Sequence, residues 1–458
     1  MLLQFSTDNY KNFANGFTFS MRPNPHQTDL AWSIQSTEAG GTTHKALSSA
    51  VVYGPNAAGK SNILGALDTL KCIVQRGNVK NTTKLRHYNY AGDLLELIPN
   101  RHLSNTKPVM FGIEFITAGM MVDYSFRVDM GGFLSFNYPR RVVSEKLMIN
   151  GTLIFERAEK EFTFGNFDAL GDDIWGDHTE RRLERAELSA EVAEQQELFL
   201  MNGFRTSVGP RLVSKISDWL DNRLIVLPDS HLVQFSPHLR SDESQDGFLV
   251  SPLLTQTLAL VSANAGEVGY SFDPNGVGRM DMRLDTPNGL LDKQIVPAEF
   301  FESYGSIRLL NILPYLLHAL QTGGTLLMDE FDASLHPAIA QGIISTFHND
   351  EANPNQAQLI VNTHSLGHMS SQLYRRDEIH LVDLDREAHS SDHYTLADFK
   401  TYSGTGVRKN ESYMRKYLKE AFGAYPDTDM EQLLSSLVNG SNDISSENDP
   451  RATDPAFE

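Results

Sequence analysis

The stretch VVYGPNAAGKSNIL, Val51 to Leu64, constrains this chain more than any other. Gly54, Gly59, Lys60 and Ser61 fit the pattern G-x-x-x-x-G-K-[ST]. SSAVVY ahead of it reads as a buried strand, and SNILGALDTLKCIV behind it carries apolar residues at helical spacing. A strand that turns through glycines into a helix aims backbone N–H groups and the positive helix end at one spot, which suits phosphate. Gly54, Pro55, Asn56, Ala57, Ala58, Gly59, Lys60, Ser61 and Asn62 are therefore the candidate nucleotide cradle. Lys60 is expected to reach the β and γ phosphates, and the Ser61 hydroxyl to ligate Mg²⁺.

Composition narrows the setting. With 458 residues, 40% hydrophobic and 21% charged, the chain can bury one or two substantial cores. A formal net charge of −19 argues against a basic coat for bulk nucleic-acid binding, although a local basic groove fits within that total. One cysteine, Cys72, excludes an internal disulfide and a cysteine-rich zinc site, in keeping with a cytoplasmic protein. MLLQFSTDNYKNF lacks a basic run followed by an apolar signal core, and no stretch approaches eighteen uninterrupted apolar residues, so no membrane partner is expected.

A phosphate cradle alone names no mechanism, because kinases, GTPases, motors and transport machines share it. The second half of the site lies far downstream. GGTLLMDE is an apolar strand ending in Asp329 and Glu330, at the edge where a parallel sheet presents its ligands. Asp329 is expected to hold Mg²⁺ and Glu330 to orient and polarise the attacking water. Before it, ESYGS (Glu302 to Ser306) opens a helix whose Leu309, Leu310, Leu313, Leu316, Leu317 and Leu320 share a face.

These motifs resemble the ABC-type ATPases, in the degenerate form of the SMC-like and OLD-like branch. Ser303 and Gly305 match the serine and second glycine of the signature motif. ASLHP (Ala333 to Pro337), with Ser334, resembles the D-loop, and QAQLIVNTHS delivers His364 where that branch has its switch histidine. The resemblance implies ATP and Mg²⁺ as cofactors. It also implies a head-to-tail homodimer, open to larger assembly, in which one subunit's signature caps the γ-phosphate on the other's cradle. MLLQFSTDNYKNF resembles the opening strand pair of such heads, KPVMFGIEFITAGMMVDYSFRV the strands of their N-terminal lobe, and VVSEKL the turn after them. RRDEIHLVDLD and VRKNESYMRKYLKEAFGAYP resemble a trailer of the bacterial anti-phage ATPases of the RloA, AbiL and PARIS type. The glutamine of the Q-loop has no counterpart in LRHYNYAGD.

The expected fold is α/β: an ABC-type P-loop head with a central parallel sheet, an antiparallel N-terminal layer, an inserted helical lid and no long coiled coil. The expected divisions are an N-terminal lobe at 1–170, a helical lid at 171–300, a C-terminal lobe at 301–426 and an acidic disordered tail at 427–458. Asp383 and Asp385 of VDLDRE satisfy part of a Toprim nuclease pattern, but too little chain follows for that domain. Arg375 and His380 match an R-x₄-H spacing of some ribonucleases, in a strand that is the wrong setting.

The favoured reading is an ATP-driven switch or scaffold controlling a separate effector, a nuclease or toxin encoded nearby, in anti-phage defence, with a phage component as trigger. The alternative is a DNA-repair or chromosome-maintenance ATPase, which calls for a basic upper surface and coiled coils. A transporter's nucleotide-binding subunit comes third, because ESYGS and the long insertion depart from that class.

Overall fold

The computed structural model describes residues 1–80, 99–100, 102, 107–130, 139–176, 181–227, 248–262, 266–272, 278–284, 294–400, 406–408, 411–425 and 430–439. LRHYNYAGD lies outside the described residues.

Five apolar strands make the parallel part of a six-stranded central sheet, in the order Leu224–Leu227, Thr325–Met328, Gln358–Asn362, Ser49–Tyr53 and Ile379–Asp385. Ser390–Thr395 closes one edge as an antiparallel partner. The inner strands SAVVY, TLLM and QLIVN are buried at every position. That is the mark of a sheet covered on both faces, so they read as continuous rather than alternating apolar runs.

One face is covered by the helix Lys60–Arg76 and, beyond it, a seven-stranded antiparallel sheet. In that sheet MMVDYSFRVD alternates, with Met120, Val122, Tyr124, Phe126 and Val128 inward. VVSEKL, expected as a turn, runs within the strand Arg141–Ile149, because Val142, Glu145, Leu147 and Ile149 fall on the same buried face. Glu145 is tolerated there because its carboxylate accepts from Tyr124 Oη and from the backbone of Phe199 and Leu200. The other face of the central sheet is covered by the helix Tyr304–Thr322 and by Pro337–Phe347. The longest helix among the described residues spans 19 residues, so no long coiled coil is present among them.

The stretch expected as a helical lid divides three ways. Arg182–Glu191 and Pro210–Asp218 pack into the core of the antiparallel sheet, where Trp219 stacks on Phe115 at 4.1 Å. Leu224–Leu227 belongs to the central sheet. Further described residues of the stretch form a separate antiparallel sheet, Phe248–Val250, Glu267–Phe272, Gly278–Leu284 and Gln294–Pro297, covered by the helix Pro252–Val261. Within the stretch expected as disordered tail, Met430–Asn439 is a helix, because EQLLSSLV keeps apolar residues at helical spacing. Among the described residues no helix is long and apolar enough to cross a membrane.

A buried amide joins the two sheets. Gln358 Oε1 accepts from Leu2 N at 2.6 Å and Thr325 Oγ1 at 3.0 Å, while its Nε2 donates to the carbonyls of Leu2 and Leu47, both at 3.0 Å. All four hydrogen-bonding positions of the side chain are used. Gln358→Leu leaves these groups buried without partners and is expected to cost about 2–4 kcal/mol. Urea unfolding checks it, and an unchanged midpoint contradicts the role assigned to Gln358.

Candidate functional site

The strand Ser49–Tyr53 leaves the carboxyl edge of the central sheet at Gly54, the position at which α/β sheets present ligand sites. A side chain on Gly54 would run into the Val382 carbonyl, so the neighbouring strand demands glycine there. Ala57 (φ 63°) and Gly59 (φ 111°) then take the left-handed region, and Gly59 stands at the N-terminus of the helix Lys60–Arg76. Ser391 Oγ donates to the Ala58 carbonyl at 2.6 Å. Asn12 braces the loop from the opening strand pair: its Nδ2 donates to the Ala57 carbonyl at 2.9 Å, and its Oδ1 accepts from Asn62 at 2.6 Å.

Lys60 Nζ donates to the carbonyls of Gly54 and Pro55 at 2.9 and 3.0 Å. Burial lowers its pKa to about 8, against the opposing charges of Asp329 and Glu330. The lysine, the loop and the two carboxylates therefore occupy one site, although they are far apart in sequence.

The parallel register that pairs Met328 with Val361 puts Asp329 beside Asn362 at the next step. Asn362 Nδ2 donates to the Asp329 carboxylate, while its Oδ1 accepts from Glu330 N at 2.6 Å. Burial pushes the Asp329 carboxyl above the usual carboxylate range, and the neighbouring Ser61 hydroxyl and the bond from Asn362 work against that rise. Ser61 and Asp329, the two oxygen ligands expected for Mg²⁺, are thus already adjacent, and a hard cation prefers such a donor set. Glu330 sits at φ 45°, a costly conformation for a side chain with a β-carbon, held by the Asn362 bond and by Arg308, which donates to its carbonyl.

His364 follows the strand Gln358–Asn362. Its pKa is lowered by burial first and by Lys60 next, against the charges of Glu330, Asp332 and Asp329. A neutral imidazole at physiological pH follows. Thr363 Oγ1 donates to Asp332 at 2.6 Å and fixes the backbone beside it.

The remaining expected residues lie together in a second cluster. Ser303 caps the helix Tyr304–Thr322 through the Ser306 N–H at 3.1 Å. A β-carbon on Gly305 would come within 2.5 Å of the Ser334 carbonyl, and Ser334 itself has φ 65°. The turn carrying Ser303 and the loop carrying Ser334 therefore touch within one chain. From the same helix, buried Arg308 reaches the backbone of Glu330 and Phe331, joining this cluster to the carboxylates. The cluster opens outward: Tyr304 is 82% and Phe300 72% exposed.

Asn12, Asn362 and Arg308 are absent from the sequence-based candidates. A polar residue ending the apolar run QLIVN is the one local hint for Asn362. The set-aside candidates have structural places. Arg375 is buried and ion-paired to Asp377, and His380 is buried against His393 at 2.9 Å. Asp385 caps the turn after its strand. Among the described residues no group of three or more His, Cys, Asp and Glu side chains is placed to hold a metal.

Residues 49–182 and 287–370 match the family described as "AAA domain, putative AbiEii toxin, Type IV TA system". The match points to an AAA domain over somewhat less than half of the chain. Its two stretches contain the cradle, Asp329, Glu330 and His364, and skip the residues between. No curated protein matches the chain. Among solved structures the chain is similar to the SMC head domain from Thermotoga maritima, at 13% identity over 86% of this chain and 98% of that one, with a TM-score of 0.36. It is also similar to the Smc head domain with an extended coiled coil bound to the C-terminal domain of ScpA from Pyrococcus furiosus. There the identity is 13% over 86% and 96% of the two chains, with a TM-score of 0.37.

Because Lys60 contributes to the lowered pKa of His364, Lys60→Ala is expected to move the His364 imidazole titration upward, toward the ordinary histidine value. Proton NMR of the imidazole resonances, with His364→Gln assigning the signal, reads the shift. An unmoved or lowered midpoint contradicts the shared site.

Proposed function

We propose that this chain binds and hydrolyses ATP with Mg²⁺ and works as a cytoplasmic switch that controls a separate effector protein. The observation that carries the reading is the placement of Asp329 and Glu330, both hydrogen-bonded to Asn362, beside Ser61 and the cradle lysine. The family match supports the ATPase part. In the proposed site Ser61 and Asp329 would hold Mg²⁺, which would supply neutralisation of phosphate charge. The cradle N–H groups and Lys60 hold the phosphates in place. Glu330 orients and polarises the attacking water and takes up its proton, while neutral His364 hydrogen-bonds to the terminal phosphate.

Ser303, Gly305 and Ser334 are proposed to act in trans, in a head-to-tail dimer. Support comes from the outward face of that cluster, where exposed Phe300 and Tyr304 suit a second copy of the chain. ATP bridging two heads only when they are closed supplies the differential affinity that a switch requires. A defence setting with a toxin-like effector is the finer part of the proposal, supported by the toxin system in the matched family's description.

Light scattering of the Glu330→Gln protein with and without Mg-ATP tests the reading, alone and co-expressed with the products of neighbouring genes. A shift to dimer or larger mass carrying a neighbour-encoded protein is expected. A mass that stays monomeric with ATP but rises on added DNA favours the repair alternative. Ser303→Arg is expected to lower ATPase turnover at least about tenfold by blocking the trans contact, with ATP binding by the monomer retained. Turnover at the parental rate contradicts the head-to-tail arrangement.

A further inference from the structure

A cavity of about 460 Å³ lies beside the mouth of the cradle, lined by Gly54, Pro55 and Asn56 on one side and by His364 on another. Its third wall comes from the C-terminal part of the chain, Tyr417 and Tyr425. Arg386 also lines it, and among the described residues that do, Arg386 carries the one permanent positive charge.

Arg386 is brought there by the sheet. Ile379–Asp385 runs parallel to Ser49–Tyr53, with Leu381 paired to Tyr53, so the two strands end at the same edge. The turn that follows is fixed, because Asp385 accepts from Glu387 N at 2.9 Å and Ala388 N at 2.8 Å. The far wall is equally settled. Tyr417 Oη donates to the Ala424 carbonyl at 2.6 Å, and the Tyr417 and Tyr425 rings meet edge to face at 5.7 Å. A guanidinium is thus carried on a braced turn, at a cavity that opens onto the first residues of the cradle and the histidine expected at the γ-phosphate.

We propose that Arg386 is a binding residue for the terminal phosphate of ATP, contributed in cis from the turn between the last two strands of the central sheet. The inference rests on the ATPase reading and adds a specific residue to it. A planar guanidinium makes paired hydrogen bonds to phosphate oxygens, and its charge is worth more the more negative the group it meets. Contact with the terminal phosphate therefore separates ATP from ADP.

Fluorescence binding of Mg-ATP and Mg-ADP to Glu330→Gln and to Glu330→Gln/Arg386→Gln, each in the full chain, tests this. The second substitution is expected to weaken ATP about tenfold and leave ADP within twofold, and Arg386→Lys to recover part of the loss. Equal affinity for ATP with and without Arg386 overturns the proposal. So does an equal loss for both nucleotides, which would mean that Arg386 supports the fold or a shared part of the ligand. If the parent protein binds neither nucleotide, the ATPase reading fails instead, and that outcome is distinguishable because it precedes any change at Arg386.

Discussion

The side chain of Asn362 holds the site together. One amide donates to the carboxylate of Asp329 and accepts from the backbone of Glu330, so a single residue on one strand fixes two acidic residues on the next. The same strand begins with Gln358, whose amide bonds to the first strand of the antiparallel sheet. Both ends of Gln358–Asn362 are thus tied down by buried amides, one at the joint between sheets and one at the chemistry. Buried amides of this kind are costly unless every partner is present, so they define one register and exclude neighbouring ones.

The strain at Glu330 follows from that arrangement. A left-handed backbone at a residue with a β-carbon persists only where surrounding bonds over-determine it. Here the N–H is held by Asn362 and the carbonyl by Arg308. The backbone that carries the carboxylate is therefore set by two elements that are not its sequence neighbours, the strand ending at Asn362 and the helix Tyr304–Thr322.

Much of this was legible in the sequence, for a physical reason. The cradle, the GGTLLMDE strand and the strand delivering His364 are local signals, in which a continuous apolar run gives way to a polar residue at a sheet edge. Asn12, Arg308, Asn362 and Gln358 were not legible, because their roles depend on partners distant in the chain or on the strand register. The sheet formed by Phe248–Val250, Glu267–Phe272, Gly278–Leu284 and Gln294–Pro297 escaped for another reason. Two of its strands are only three and four residues long, and the polar–apolar alternation of GRMDMRL was passed over. VVSEKL was expected as a turn only from its likeness to the turn of such heads, and in the strand it forms the partners of Glu145 explain the place of a buried glutamate.

The contact of Gly305 with the Ser334 carbonyl leaves no slack between two loops. Neither can move toward the other by the width of a methyl group. Arg308 extends this block to the peptide of Glu330. The turn that bears Ser303, the loop that bears Ser334 and the peptide of Glu330 are thus one contiguous piece, assembled from three separate stretches of sequence.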